Sequence, residues 1–375
     1  MSGPFQDDPS LKLAPAPGPA ARLVPSPFLH VEEGRVVNPL TEEILAAGDP
    51  SYAALLALRS HGAAPDAEAA KTLLRGLWAV PEATDLSRRF RLKVVSLEAH
   101  SVCNQACYFC PVSVDPRKPY YMPTEMYERI VAELSAFRET IDGVCMINYN
   151  EPTADRRFVQ QVAAIRNAGL PPAVLTNGSG LTPDRVDAIL ALGGLRYLSI
   201  NLSTLDREEY ARDRGVDQLD LVLRNMEYAQ DKPLAREMDI VVLGQKDEAH
   251  RRAHAAVEAR FAGTLFRVKP FEIMDRAGYL PVGQRPDRPH VRLRGCDNLG
   301  SRPLQHLHVT PQGKCVLCCE DYDEKYVVGD LARQSVREVL EGDELARLRR
   351  WSYGVEEAPA DFICRKCVFA RTDGA

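Results

Sequence analysis

From Leu92 onward, short apolar runs alternate with longer amphipathic ones. The strand candidates are residues 93–99 (KVVSLEA), 144–150 (VCMINYN), 173–178 (AVLTNG), 195–203 (LRYLSINLS), 237–244 (EMDIVVLG) and 265–272 (LFRVKPFE). Between them, residues 124–137, 155–169, 183–194, 219–230 and 247–261 carry apolar positions at helical spacing. Strands alternating with helices of this length build a parallel sheet through right-handed crossovers. Six such units predict an α/β fold, an open partial (β/α)6 TIM-like barrel over residues 92–286. Ligands on such sheets gather at the C-terminal strand ends, so the residues just after each strand are the ones to inspect.

The flanks follow other patterns. Residues 1–27, rich in Pro and Ala without periodicity, read as a flexible leader. Residues 28–85 form a small α/β unit, with a strand at 34–40 (GRVVNPL) and helices at 50–62 and 66–80. After Pro286 the alternation stops. Residues 287–375 offer a hairpin turn at Gln312-Gly313, one helix across residues 335–351 and six cysteines, and a stretch this short and polar needs a metal to organise it.

Composition narrows the function classes. A formal net charge of −5 gives no electrostatic reason to expect nucleic acid or an anionic membrane as partner. The N-terminus lacks a basic start and an apolar core of the secretory type, and no apolar run is long enough to span a bilayer, which predicts a cytoplasmic protein. In a reducing compartment its ten cysteines are read for metal or catalysis before disulfides.

Nine of the ten fall in two groups. Cys103, Cys107 and Cys110 follow the first strand with C-x3-C-x2-C spacing, so three thiolates can converge on one centre. Zinc in a structural site asks for four protein ligands, and no fourth Cys is near; three thiolates on an iron-sulfur cluster leave one iron open for chemistry. The second group comprises Cys296, Cys315, Cys318, Cys319, Cys364 and Cys367. Cys145, alone within a strand, reads as a small buried apolar residue.

Cys103, Cys107 and Cys110, with aromatic Phe109 before the last, resemble the C-x3-C-x-aromatic-C signature of the radical S-adenosylmethionine (radical SAM) superfamily. That resemblance implies a 4Fe-4S cluster whose open iron chelates S-adenosylmethionine. An electron from a donor such as flavodoxin or ferredoxin then splits the sulfonium bond, and the resulting 5'-deoxyadenosyl radical takes hydrogen from substrate. It further implies cofactor contacts from Phe109, from Asn150 and Glu151, which stand with Pro152 where the family has a Gly-Gly-Glu-Pro-like turn, and from Asn177, Ser199 and Asn201. The two glycines of that turn are replaced here. Capping of strands and turns is the plainer reading of these polar residues.

The C-terminal group resembles the SPASM or twitch auxiliary-cluster domains, through Cys296, Gly313 followed at a fixed interval by Cys318, and the closing Cys364-x2-Cys367. A full SPASM domain uses seven cysteines. One further 4Fe-4S cluster on Cys296, Cys318, Cys364 and Cys367 is implied, with Cys315 or Cys319 as alternatives to Cys318. Four thiolates leave no open iron, so such a cluster carries electrons or shapes the pocket. A structural zinc site pairing Cys315/Cys318 with Cys364/Cys367 is the competing reading, although their separation exceeds the usual zinc-ribbon gap of ~15–20 residues.

Substrate is less legible. Residues 28–81 resemble PqqD-like domains that hold leader peptides, which implies maturation of a ribosomally made peptide. The rivals are a dehydrogenase, epimerase or dehydratase of a small metabolite such as an amino sugar and, as a non-enzyme, a structural zinc or electron-carrier protein. Tyr149, Glu272, Asp275 and Arg276 lie at C-terminal strand ends and are candidates to meet substrate, while His306 and His308 fit an alternating strand as well as a metal pair.

Overall fold

The structure, a computed structural model, describes residues 22–373. Most of the leader expected at 1–27 therefore lies outside the described residues. Its last part does not behave as a leader: β1 (Leu23–Pro25) pairs antiparallel with β5 (Ala79–Pro81), which packs half-buried Val24 against an apolar cluster of Val80, Phe28 and Leu77. Between them, β2 (His30–Glu32), β3 (Arg35–Val37) and β4 (Ile44–Ala46) form a separate three-stranded antiparallel sheet with β3 in the centre. Helices Pro50–His61 and Ala67–Arg75, capped by Asp49 and Asp66, close over it, and Leu45, Leu55, Leu73 and Trp78 fill the space between.

The centre of the molecule is one nine-stranded sheet. Six parallel strands stand side by side in chain order: β6 (Val94–Leu97), β7 (Gly143–Cys145), β8 (Pro172–Thr176), β9 (Leu195–Asn201), β10 (Ala235–Gly244) and β11 (Arg267–Glu272). Helices Thr124–Leu134, Phe158–Asn167, Pro183–Ala191, Leu219–Ala229 and Glu248–Arg260 connect them, all five at the expected places. Strand and helix apolar positions merge into a single large core. The sheet has free edges at β11 and β15, so the barrel is open.

Four features depart from the expectation. Strand β7 is only three residues long, so Tyr149, Asn150 and Glu151 lie in the loop beyond it. Helix Arg207–Arg214 goes unpredicted because its sequence, REEYARDR, offers no apolar stripe. The helix expected at 335–351 is two helices, Val336–Leu340 and Asp343–Ser352, since Ser335 and Glu338 form a capping box on the first and Gly342 is the N-cap of the second. The C-terminal stretch also joins the central sheet: β13 (His306–Val309) pairs parallel with β6, and β14 (Lys314–Val316) and β15 (Val327–Asp330) extend from it. The Thr310–Gly313 turn between β13 and β14 is the expected hairpin. Finally, β12 (Leu293–Cys296) pairs with β16 (Ala370–Thr372).

One contact between the N-terminal unit and the C-terminal helices titrates. His30 is buried and bonded to the Tyr353 hydroxyl at 2.9 Å; burial, then Arg371, lowers its pKa to about 4. The unfolded chain thus binds a proton that the folded chain refuses, so stability present above pH 6.5 is lost as pH falls through 4. Urea melts between pH 7 and 4 are expected to show a loss approaching about 3 kcal/mol from this residue, absent in His30→Gln.

Candidate active site and cysteine centres

The parallel strands place their C-terminal ends on one edge, and the first cysteine loop rises there between β6 and helix Thr124–Leu134. Neighbouring loops fix it through its backbone. Glu151 N–H donates to the Val102 carbonyl (3.0 Å), while Ala106 and Tyr108 N–H donate to Arg214 and Asp213 carbonyls (2.9 and 3.1 Å). Gly215, at φ 67°, permits this approach, because an added Cβ would sit 3.2 Å from that of Ala106. Asn104 Oδ1 accepts from Asn177 Nδ2 (2.9 Å), tying the loop to the end of β8.

Cys103, Cys107 and Cys110 are electrostatic neighbours, and burial pushes the Cys103 thiol up to about 12 and raises Cys110 as well. Such thiols ionise when a metal takes the proton's place. Among the described residues no three Cys, His, Asp or Glu side chains form the shell of a single metal ion. A four-iron cage grips each thiolate through a separate iron and so needs a wider set. Against this loop lies Arg214, absent from the sequence reading: Nη1 reaches Cys107 Sγ at 3.6 Å, Nη2 donates to Asn201 Oδ1 at 2.8 Å, and the guanidinium rests 5.0 Å from the Phe109 ring centre. It is 2% exposed, and among the described residues it makes no ion pair.

The expected cofactor contacts divide. Phe109 and Asn201 meet Arg214 beside Cys107. Ser199 shares a face of β9 with Asn201, near Tyr197, whose hydroxyl donates to Asp239 at 2.9 Å. Asn177 bonds both the cysteine loop and Ser179. Asn150, by contrast, turns inward: its Oδ1 accepts from Asn148 N–H, and its Nδ2 faces His100 and the Met146 carbonyl at 3.4 Å. The Glu151 carboxylate is buried and engaged at both oxygens. Oε1 accepts from Thr153 N–H and the Thr153 and Thr176 hydroxyls (3.0, 2.6 and 2.6 Å), and Oε2 from Asn177 N–H (2.7 Å). Burial still raises its pKa.

The candidates at the strand ends divide as well. Tyr149 donates its hydroxyl to the Cys319 carbonyl, and its ring stands edge-on to Tyr322 at 4.7 Å. Arg276 lies 5.9 Å from the same ring and pairs with Glu320 at 3.3 Å. Both Cys110 and Cys319 act electrostatically on Arg276, so it stands between the two cysteine groups. Its left-handed φ of 56° is followed by 54° at Ala277, a turn in which buried Asp275 accepts the Ala277 and Gly278 amides. Asp275 therefore holds the loop. Glu272 faces away, on edge strand β11, bonded to Lys246 at 2.8 Å. The sequence reading also passed over Glu98 and Arg117, a bidentate pair at 3.0 and 3.1 Å, where fully buried Glu98 also accepts the Tyr149 amide.

In the C-terminal group, Cys296, Cys318, Cys364 and Cys367 line one cavity with Arg302 and Glu320. Cys315 and Cys319 do not line it: Cys315 is fully buried in the core, and the Cys319 thiol faces Glu320 at 3.6 Å. Burial raises all four lining thiols, Cys364 to about 12. Cys296 meets the backbone amides of Asn298 and Arg302, a donor set suited to a thiolate. Cys145, the last residue of β7, is half-buried rather than a core residue; burial pushes its thiol up to about 11, and Arg302 acts on it electrostatically. His306 and His308 stack at 5.9 Å on β13, and burial lowers both, His306 to about 3.

A family model described as the radical SAM superfamily matches residues 97–256. Residues 97–256 are a domain of that superfamily. A second model, described as the SPASM iron-sulfur cluster-binding domain, matches residues 296–368. This radical SAM enzyme thus uses 4Fe-4S clusters and S-adenosylmethionine. It is 22% identical over 279 residues to the S-adenosyl-L-methionine-dependent 2-deoxy-scyllo-inosamine dehydrogenase of Niallia circulans, covering 73% of this chain and 92% of that one. A probable GTP 3',8-cyclase of Pyrococcus abyssi is 32% identical over 127 residues, 34% of this chain; the match spans only 40% of the cyclase. In fold it is similar to Streptococcus suis SuiB bound to precursor peptide SuiA, with a TM-score of 0.55 at 13% identity, covering 92% of this chain and 93% of that one. No helix among the described residues is long and apolar enough to cross a membrane.

The four donors around Glu151 give a test of its part. Glu151→Ala leaves them without an acceptor and is expected to cost about 3 kcal/mol in urea melts of the metal-free chain; a melt like wild type would show the carboxylate is not holding these loops.

Proposed function

We propose that this radical SAM enzyme modifies a ribosomally made peptide, with Cys103, Cys107 and Cys110 holding the cluster that cleaves S-adenosylmethionine and Cys296, Cys318, Cys364 and Cys367 holding a second. When bound, the reduced cluster and S-adenosylmethionine supply a 5'-deoxyadenosyl radical that removes hydrogen from an unactivated carbon.

The chain's own residues prepare the place for this. Backbone bonds from Glu151 and to Asp213 and Arg214 hold the cysteine loop open toward the strand ends. Arg214 brings a buried positive charge to Cys107, suited to an anionic cluster or a carboxylate. Tyr149, Tyr322, Arg117 and Arg276 wall the space between the two cysteine groups, and their rings and guanidinium planes suit a polar, amide-bearing substrate better than an apolar one. The substrate-facing roles of Tyr149 and Arg276 belong to this proposal. An external one-electron donor such as flavodoxin or ferredoxin completes it.

One observation carries the peptide reading. The N-terminal antiparallel sheet leaves β4 as a free edge with Ile44 54% exposed, and an extended peptide can add to such an edge through main-chain bonds. The relative that acts on 2-deoxy-scyllo-inosamine, matched over nearly its whole length, favours a second reading, oxidation of a small amino-bearing ring.

Anoxic reconstitution separates these claims. Wild type is expected to hold about eight irons and form 5'-deoxyadenosine; Cys318→Ala is expected to fall to about four irons, while Cys315→Ala and Cys319→Ala keep about eight. Turnover by Cys107→Ala would remove the assigned centre. A short precursor peptide encoded beside this gene is expected to bind wild type at least tenfold more tightly than Ile44→Asp. No peptide binding, together with oxidation of an aminocyclitol, would replace the first reading by the second.

A further inference from the structure

Arg302 presents an electrostatic problem that the protein alone does not solve. It opens the short helix Arg302–Gln305, and its side chain lines the cavity shared by Cys296, Cys318, Cys364 and Cys367. Its Nε is shielded from solvent and has no hydrogen-bond partner, and Nη1 donates only to the neutral ring of His308, at 3.3 Å. Glu320, the carboxylate on the same cavity wall, makes its ion pair with Arg276 and acts on Arg302 only from beyond ion-pair distance. Among the described residues Arg302 makes no ion pair. A guanidinium never loses its proton, and a shielded cation without a counter-charge is costly to bury. Its missing partner therefore has to be an anion, and the space in front of it is walled by four thiols.

A 4Fe-4S cluster on four thiolates carries two negative charges when oxidised and three when reduced. A fixed cation beside it favours the reduced form, and charge and hydrogen bonding near the sulfurs are the protein's means of setting a cluster's potential. We propose that Arg302 is the counter-charge of the C-terminal cluster and holds its reduction potential up, a positioning role that rests on the assignment of that cluster to the cavity cysteines. The arrangement ties the role to charge: His308 and His306 behind the guanidinium are held neutral, so Arg302 brings the positive charge to that wall. Arg276, the nearby second cation, is committed to Glu320.

The test uses the full chain with Cys103, Cys107 and Cys110 replaced by Ala, so that only the C-terminal cluster gives a spectrum. Iron and sulfide are counted first, and the reduced fraction is then followed by electron paramagnetic resonance against a series of redox buffers. Arg302→Gln is expected to lower the reduced-to-oxidised ratio at fixed potential tenfold or more, about 59 mV for one electron, while Arg302→Lys stays near the parent. Loss of the cluster from Arg302→Gln with retention in Arg302→Lys also supports the proposal, since charge alone separates them. Equal potentials in the parent and Arg302→Gln, at equal iron content, would overturn it, as would loss of the cluster from both variants, which would assign the residue to shape. A parent that binds about no iron would overturn it together with the cluster assignment, and the iron count distinguishes that case.

Discussion

Parallel pairing of β13 with β6 is the join on which the rest depends. Strand β6 leads into the first cysteine loop, and β13 lies beside it as part of the segment that carries the other cysteines. Ladder bonds between these two strands fix the C-terminal unit to the open edge of the barrel. As a result Arg276, Tyr149 and Glu320 stand between the two cysteine groups and not in separate domains. The Tyr149 hydroxyl on the Cys319 carbonyl and the Arg276–Glu320 ion pair add to that pairing in fixing how the two cysteine groups stand to one another.

Buried charge follows from the same arrangement. Arg214 lies against Cys107 and Arg302 against the C-terminal cavity, and neither has a carboxylate partner among the described residues. Glu98 and Arg117, by contrast, neutralise each other beneath Tyr149. A protein that pairs its charges internally has no need of an outside anion at that point, whereas a lone shielded cation beside thiol side chains is stable once a negative group arrives. Both cysteine groups have this character, which is the physical reason to regard them as sites for anionic clusters rather than as clustered core sulfur.

Much of the barrel was legible because its strands and helices bury apolar residues at regular spacing. The helices at 124–134 and 183–191 announce themselves in this way. Local pattern could not reveal helix Arg207–Arg214, polar on every side, or the placing of β13 next to β6 across more than two hundred residues of chain. The cysteine groups were legible from spacing. Which C-terminal thiols share a cavity was not, since Cys315, Cys318 and Cys319 are near neighbours in sequence and only the strand β14 and the turn after it point them in different directions. Arg117, Arg214 and Arg302 were invisible for a related reason: a charged residue in a polar stretch reads as surface until the fold covers it.

The central claim is that three thiolates of the first loop hold a four-iron cluster with one iron left for S-adenosylmethionine. Mössbauer spectra of the anoxic, iron-loaded chain test it directly when recorded with and without that ligand. The account expects one iron of the first cluster to change its isomer shift when S-adenosylmethionine is added, as its coordination number rises. Spectra that do not respond to the ligand, or a first loop that carries zinc and no iron, would contradict it.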